Sequence, residues 1–276
     1  MKKMRFFIGF LLIAGVSLFL NRCAPAGEEA VPEYDYGLID DDGLAENSFE
    51  DADDWSDMSM DDGGFKQSVA DTVYKGQCVT ATLDTNAHPK KLVIDFGTTN
   101  CVCNDNRTRR GKIIVTYNGG YYKEGSVRVH TFDNYYINDN KIMGSRTTIN
   151  KGRNLAGNMY WDVFVSGTVE KANGGGTITW NCTRTREWVA GEGQAHANWQ
   201  FALTGTATGS RSDGWSYSAT VTQSLLKKAS CHWIVSGTID VFPRGYPTIV
   251  LDYGTGACDN IVTATINGNS KTIELK

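Results

Sequence analysis

From about Val73 to the C-terminus, apolar and polar residues alternate along the chain. Tyr217, Ala219 and Val221, for example, are separated by serine and threonine. Successive side chains of a β-strand point to opposite faces, so this alternation is typical of strands with one buried and one polar face. We therefore predict an all-β head, an antiparallel meander of repeated hairpins that forms a sandwich or an elongated sheet stack. Little or no helix is expected outside the N-terminal targeting segment.

The predicted strands repeat. Phe164–Val169, Ala202–Ala207 and Ile234–Ile239 share one pattern around a central glycine, and each is followed after roughly ten residues by a second strand-like segment. A single hairpin cannot bury its apolar face alone. The repeats therefore indicate hairpins that pack against one another.

A second duplication links the two ends of the head. Val93–Thr98 and Val250–Thr255 match closely, and each is followed by a cysteine, Cys101 or Cys258. The first copy resembles the phosphate-binding hairpin of actin-like ATPases. Because the motif recurs within a repeat, we interpret it as a strand end at which an aspartate caps a turn and a glycine supplies the backbone freedom.

The N-terminus predicts export. Lys2, Lys3 and Arg5 precede an apolar run, residues 6–20, that is too short to span a bilayer as a helix. We interpret residues 1–22 as a signal peptide and Cys23 as a lipidated cysteine in a lipobox-like context. The alternative is ordinary signal-peptidase cleavage after residue 26, which would give a secreted or periplasmic protein.

Charge is distributed unevenly behind that signal. Residues 27–65 contain 15 acidic and no basic residues, whereas residues 66–276 contain 23 basic and 16 acidic residues. Such a density of like charge favours an extended chain. The sequence thus predicts a lipid-anchored, acidic, disordered tether over residues 23–72 and a β head over residues 73–276.

An even number of cysteines remains after Cys23: Cys78, Cys101, Cys103, Cys182, Cys231 and Cys258. In an exported protein this count favours disulfides. The duplication suggests Cys78–Cys101 and Cys231–Cys258, which leaves Cys103 with Cys182. A structural zinc site is the alternative, but the spacing of the cysteines is unusual for one, and we predict neither a metal nor a cofactor.

Arg107, Arg109 and Arg110 form the first candidate binding group, in a predicted loop. Arginine forks suit carboxylate or phosphate partners, so an anionic ligand, an acidic glycan or a protein partner is one interpretation. Contact with the acidic segment of the same chain is the other.

Arg184, Arg186 and Trp188 share one strand face and form the second candidate group. They suit stacking against sugars or a partner, or cation–π packing on the outer face of the sheet. The sequence shows no nucleophile-elbow motif, and the histidines are scattered. We therefore do not predict an enzyme.

Several blocks resemble uncharacterised Bacteroidota lipoproteins: Cys23 with Glu28 and Glu29, Ile94–Cys103, Phe132–Asn140, Thr185–Trp188 and Asp252–Asn260. The resemblance covers nearly the whole head, and it implies an outer-membrane lipoprotein. Acidic residues after the cysteine resemble a tag for export to the cell surface. No activity comes with this resemblance.

The sequence favours a cell-surface binding or structural component, which captures a ligand or serves as an accessory subunit of an outer-membrane assembly. Its expected partners are the membrane, through the lipid anchor, and an outer-membrane protein or a glycan, but no nucleic acid. A secreted polysaccharide hydrolase with two converging carboxylates is the alternative.

Overall fold

The computed structural model describes residues 36–58, 72–73 and 79–275. The predicted signal peptide, the predicted lipidation site Cys23 and Cys78 lie outside these residues. One helix, α1 (Gly37–Met58), precedes the strands.

The strands are β1 (Thr72–Val73), β2 (Thr80–Asp84), β3 (Lys90–Asp95), β4 (Cys101–Val102), β5 (Thr108–Tyr117), β6 (Val127–Ile137), β7 (Asn140–Arg153), β8 (Met159–Glu170), β9 (Thr177–Ala190), β10 (Gln200–Arg211), β11 (Ser216–Lys228), β12 (Ile234–Pro243), β13 (Ile249–Thr255), β14 (Ile261–Ile266) and β15 (Asn269–Glu274). Short 3-10 turns occupy Ala172–Gly174 and His196–Asn198.

All of these strands belong to one antiparallel sheet in chain order, except that β4 pairs with β5 beside the main path. The all-β meander is thus confirmed. In the described part of the chain, β1 and β15 are the two ends of the path, and the sheet is not closed.

The three predicted hairpins are also confirmed. The repeated glycine segments lie in β8, β10 and β12, which pair with β9, β11 and β13. Gly205 and Gly237 adopt positive φ where the register shifts, so each marks a β-bulge. At each of them, a Cβ would lie within 2.5 Å of a backbone oxygen of the neighbouring strand.

The duplicated turn motif has the local role that we predicted for it. Asp95 accepts a hydrogen bond from the backbone N–H of Gly97 at 2.8 Å, and Asp252 accepts one from Gly254 at the same distance. Both glycines have φ near 80°, at 79° and 81°. The aspartates therefore close strand-end turns.

The structure of the acidic segment differs from the predicted disordered tether. Residues 37–58 are not part of a disordered tether but form α1, which belongs to the same compact unit as the strands. Sixteen of its 22 residues are buried, including every residue from Ala45 to Asp53. A helix that is buried continuously over more than two turns is covered on all sides.

Side chains from well-separated parts of the sheet cover the helix. The ring of Trp55 packs edge-on against Phe96, which follows β3, at 5.0 Å, whereas Gly43 faces Leu275 at the end of β15. Phe49 stacks on Trp180 of β9 at 5.9 Å. The sheet is therefore wrapped around α1, and its inner face forms the core.

The cysteines divide into bonded and free. Cys231 and Cys258 form the predicted disulfide, with their Cα atoms 5.7 Å apart. Cys101 is disulfide-bonded as well. The predicted bridge between Cys103 and Cys182 is wrong, because both are buried free thiols.

The packing of the helix on β8 predicts a severe effect of one methyl group. A Cβ on Gly167 would lie 1.9 Å from Cζ of Phe49. We expect Gly167→Ala to lower the free energy of unfolding in urea by about 1–3 kcal/mol, as overpacking does. Phe49→Leu in the same chain should restore part of the loss.

The matched control is Gly120→Ala, since a Cβ at Gly120 meets nothing within 4 Å. It should stay within about 0.5 kcal/mol of the wild type. Equal stability of Gly167→Ala and Gly120→Ala would show that Phe49 does not pack on β8.

Candidate functional site

Arginines project from the strands into the interior around the helix. We call this set the arginine lining: Arg109 of β5, Arg128 of β6, Arg146 of β7, and Arg184 and Arg186 of β9. None is more than 6% exposed. Buried guanidinium groups need carboxylate partners because desolvation of an unpaired charge is costly.

The helix supplies these carboxylates. Asp53 lies at the centre, within 2.9 Å of both Arg146 and Arg186 and 3.2 Å from Arg128. Burial would raise the pKa of Asp53, but the surrounding guanidinium groups hold it well below its usual value. The carboxylate is therefore ionised inside the protein.

Other helix carboxylates repeat this arrangement along the axis. Glu46 accepts from Arg184 at 2.7 Å, Glu50 pairs with Arg146 at 3.2 Å, and Asp57 pairs with Arg128 at 2.6 Å and with Arg186 at 3.0 Å. Near the first turn, Asp42 accepts hydrogen bonds from the indole of Trp180 and the hydroxyl of Tyr217.

The pairing also explains how the helix tolerates its own charges. Asp40 in the first turn suits the positive end of the helix dipole, but Asp54 and Asp57 lie near its negative end, where no basic helix residue offsets them. Strand residues do so instead: Lys227 pairs with Asp54 at 3.0 Å.

The first predicted binding group lies against the helix. Arg107 and Arg109 both pair with Asp51, at 2.6 and 2.7 Å, so the predicted contact with the acidic segment is confirmed for these two residues. Arg110 instead pairs with Asp139 and lies over the ring of Tyr136. Binding of an outside anion by this group stays a prediction.

The second predicted binding group faces inward, not outward. Arg184 and Arg186 belong to the arginine lining, and Arg186 lies 3.4 Å from the ring centre of Phe201. Trp188 is 2% exposed and packs against Trp199 with ring centres 4.4 Å apart. These side chains thus form part of the core, where the helix and aromatic rings cover them.

The strand period could have revealed this orientation. Cys182 lies on the core face of β9, and residues at even spacing from it share that face. Arg184, Arg186 and Trp188 are such residues, so their burial follows once β9 is known to continue to Ala190.

A cavity of about 340 Å³ opens at the C-terminal end of the helix. We call it the end cavity. Its walls come from the last turns of α1, the β4–β5 turn, the β11–β12 turn, Val79 and the 3-10 turn before β10. Its polar and aromatic lining includes Asp51, Asp54, Trp55, Asn104, Asp105, Arg107, Ser230 and His232.

Two wall residues of the end cavity share a hydrogen bond. Nη1 of Arg107 lies 3.2 Å from Nε2 of His232. A guanidinium group can only donate, so Nε2 accepts and the imidazole is neutral with its proton on Nδ1. Burial, and then the charge of Arg107, lower the pKa of His232 to about 3.

The carboxylates of the end cavity differ in their acidity. Burial raises the pKa of Asp54, and the charge of Lys227 offsets this rise only in part. Burial would also raise the pKa of Asp105, but hydrogen bonding to Arg109 and the charge of Arg107 lower it to about 2. Arg107 and Arg109 likewise hold the pKa of Asp51 far below its usual value against the effect of burial.

Among residues 36–58, 72–73 and 79–275, no histidine, cysteine and carboxylate side chains are grouped to hold a metal ion. No helix within the same residues is both long and apolar enough to cross a membrane. No protein family model, curated protein or solved structure matches the chain. The function is therefore inferred from the geometry of the end cavity and the arginine lining.

The central position of Asp53 predicts a large effect of neutralising it. Asp53→Asn leaves three buried guanidinium groups without their shared charge partner. We expect a loss of about 3–5 kcal/mol in the free energy of unfolding, measured in urea. Asp213→Asn, which removes an exposed partner of Arg211, is the control and should cause no measurable change. A similar effect of both variants would contradict a buried charge network.

His130 predicts how stability depends on pH. It is fully buried 2.9 Å from Oγ of Ser56, and burial lowers its pKa to about 3 despite the nearby charge of Asp53. Between about pH 6.5 and 4 the unfolded chain binds a proton that the folded chain does not bind. The free energy of unfolding should therefore fall with decreasing pH by up to about 1.4 kcal/mol per unit for this residue.

The lowered pKa of His232 also makes the free energy of unfolding fall as the pH decreases. Asp51 and Asp53 contribute below this window, because their lowered pKa values preserve their contribution until the pH falls below the unfolded value of about 4. His130→Gln should flatten the stability profile, measured by urea unfolding at several pH values. His88→Gln, at an exposed position between β2 and β3, should not. An unchanged slope in His130→Gln would refute this assignment.

Proposed function

We propose that this protein is an exported, lipid-anchored binding or structural component of the cell surface, which captures a ligand or serves as an accessory subunit of an outer-membrane assembly. Cys23 is the proposed attachment site, and the outer membrane, facing the exterior, is the proposed location. A secreted or periplasmic protein is the alternative.

The end cavity is the observation that carries the binding function. Its walls come from several separate segments of the chain, and ion pairs hold its polar side chains in place. Ligand pockets of roughly 300–1,000 Å³ with a few fixed polar groups are usual in binding proteins. The 340 Å³ of this cavity suits a small ligand or one end of a larger one.

The charges within the protein support binding over catalysis. Both oxygens of Asp51 accept hydrogen bonds, from Arg107, Arg109 and Tyr135. Those of Asp105 accept from the same two arginines. Carboxylates held in this way maintain the structure and are poorly placed to attack a substrate.

One observation favours the hydrolase as a second candidate. The end cavity contains a carboxyl group with a raised pKa, Asp54, together with Asp51 and Asp105, whose pKa values are lowered. Carboxyl groups in one site whose pKa values are shifted in opposite directions are typical of a general acid and base pair. If the wild-type protein releases reducing sugar from a polysaccharide and Asp54→Asn abolishes that release, the hydrolase is favoured over a protein that only binds.

Lipid attachment and surface exposure can be tested directly in the native cells. Metabolic labelling with an alkyne fatty acid should mark the wild-type protein, and protease added to intact cells should digest it. Cys23→Ala should lose the label and leave the membrane fraction. Cys103→Ala, which replaces a buried free thiol, should keep both.

Crosslinking of the native protein in its membrane then separates the two forms of the proposal. One stoichiometric outer-membrane partner indicates an accessory subunit, and its absence favours a free-standing ligand-binding protein. An unlabelled wild-type protein that protease cannot reach in intact cells would refute the surface location.

A further inference from the structure

The end cavity carries balanced charge. Three carboxylates line it: Asp51, Asp54 and Asp105. Three cations neutralise them, because Arg107 and Arg109 pair with the first and third and Lys227 pairs with the second. A ligand with a net charge would upset this balance in a partly buried site, so the balance favours a neutral ligand.

The only arginine in the cavity wall, among the described residues, is poorly placed to hold an anion. Nε of Arg107 donates to Asp105 at 2.7 Å, Nη2 to Asp51 at 2.6 Å, and Nη1 to His232 at 3.2 Å. All three of its nitrogens are thus engaged within the protein. A bidentate grip on a carboxylate or phosphate needs two of them.

The wall instead offers a few polar groups beside an aromatic ring. Asp54 pairs with Lys227 through Oδ2 and, as a carboxylate, has further acceptor sites, and Asn104 and Ser230 can both donate and accept. Trp55 lies in the same wall, with its ring held edge-on to Phe96 and 5.3 Å from the guanidinium carbon of Arg109. A ligand that fits has an apolar face for the indole and several hydroxyl groups at its edge.

We propose that the end cavity binds a neutral sugar unit, either a monosaccharide or the end of a neutral glycan. A pyranose ring combines a face of C–H groups with a rim of hydroxyl donors, and it carries no charge. This inference rests on the proposed binding function and names the ligand class for the same cavity.

Titration of the full chain with defined sugars tests the inference. The neutral probes are glucose, galactose, mannose, N-acetylglucosamine, maltose and cellobiose, and the anionic probes are glucuronate and inorganic phosphate. Calorimetry should give saturable binding for at least one neutral probe and weaker or no binding for the anions. Because Trp55 lines the cavity, the same titration should change the tryptophan fluorescence, and Trp55→Phe should reduce that change.

Cavity-filling variants locate the binding. Ser230 is exposed and lines the cavity, so Ser230→Trp should fill it and weaken sugar binding at least tenfold while the chain still folds. Asn104→Trp, in the β4–β5 turn, should have the same effect. Ser218→Trp is the matched control, since Ser218 is exposed on β11 away from the cavity, and it should leave the affinity unchanged.

Three results would overturn the inference: no saturable binding of any neutral probe, tighter binding of glucuronate than of glucose, or undiminished binding by both cavity-filling variants. A lipidated, surface-exposed protein that binds none of the sugars refutes the ligand class and leaves the proposed surface function intact. Sugar binding by a protein that is neither lipidated nor exposed supports the ligand class and refutes the surface location.

Discussion

The fold depends on the neutralisation of an acidic helix by a basic sheet interior. The helix α1 holds nine acidic residues among 22, and the strands around it present the arginine lining. Neither charged surface can be buried without the other, since burying an unpaired charge costs several kcal/mol. Together they let one large sheet wrap around a segment whose composition, by itself, is that of a disordered chain. The helix is thus an integral part of the core.

This arrangement has a consequence for folding. Buried ion pairs are rarely the most stable way to fill a core, and well-packed apolar residues of similar volume often do as well or better. An acidic segment has another advantage, because it stays soluble and extended before it docks. Phe49, Leu38 and the small alanines Ala45 and Ala52 then provide the apolar contacts, and the carboxylates fix the register by pairing with particular arginines. Specificity of docking is the property that such charge pairs are best suited to provide.

The sequence predicted the strands well and the helix not at all, for one physical reason. Period-two alternation identifies a strand from neighbouring residues only, so the hairpins around Gly167, Gly205 and Gly237 could be predicted. The helix is stabilised by residues more than 40 positions away, such as Phe96 and Arg107, and its local charge density argues for disorder. Two local signals did exist. The acidic residues Asp42, Glu46, Glu50, Asp53 and Asp57 recur at helical spacing, and the core-facing parity of β9 places Arg184 and Arg186 inside. Only their combination, buried cations that need anions, indicates where the acidic segment lies.

The end cavity was harder still to predict from the sequence. Its walls come from separate turns, and no local pattern shows that these turns lie close together in the fold.

The end cavity and the helix are thermodynamically linked through the residues that they share. Asp51, Asp54 and Trp55 belong to the last turns of α1 and also line the cavity, so the cavity is complete only while the helix is docked. Any ligand that binds there must stabilise the docked helix by an amount set by its concentration and affinity. The linkage is reciprocal: whatever strengthens the pairing of Asp51 with Arg107 and Arg109 also favours binding. The buried network that stabilises the fold therefore also keeps the wall of the end cavity in place. If the end cavity binds a ligand as proposed, the charged interior has a functional role that an apolar core of equal stability would lack.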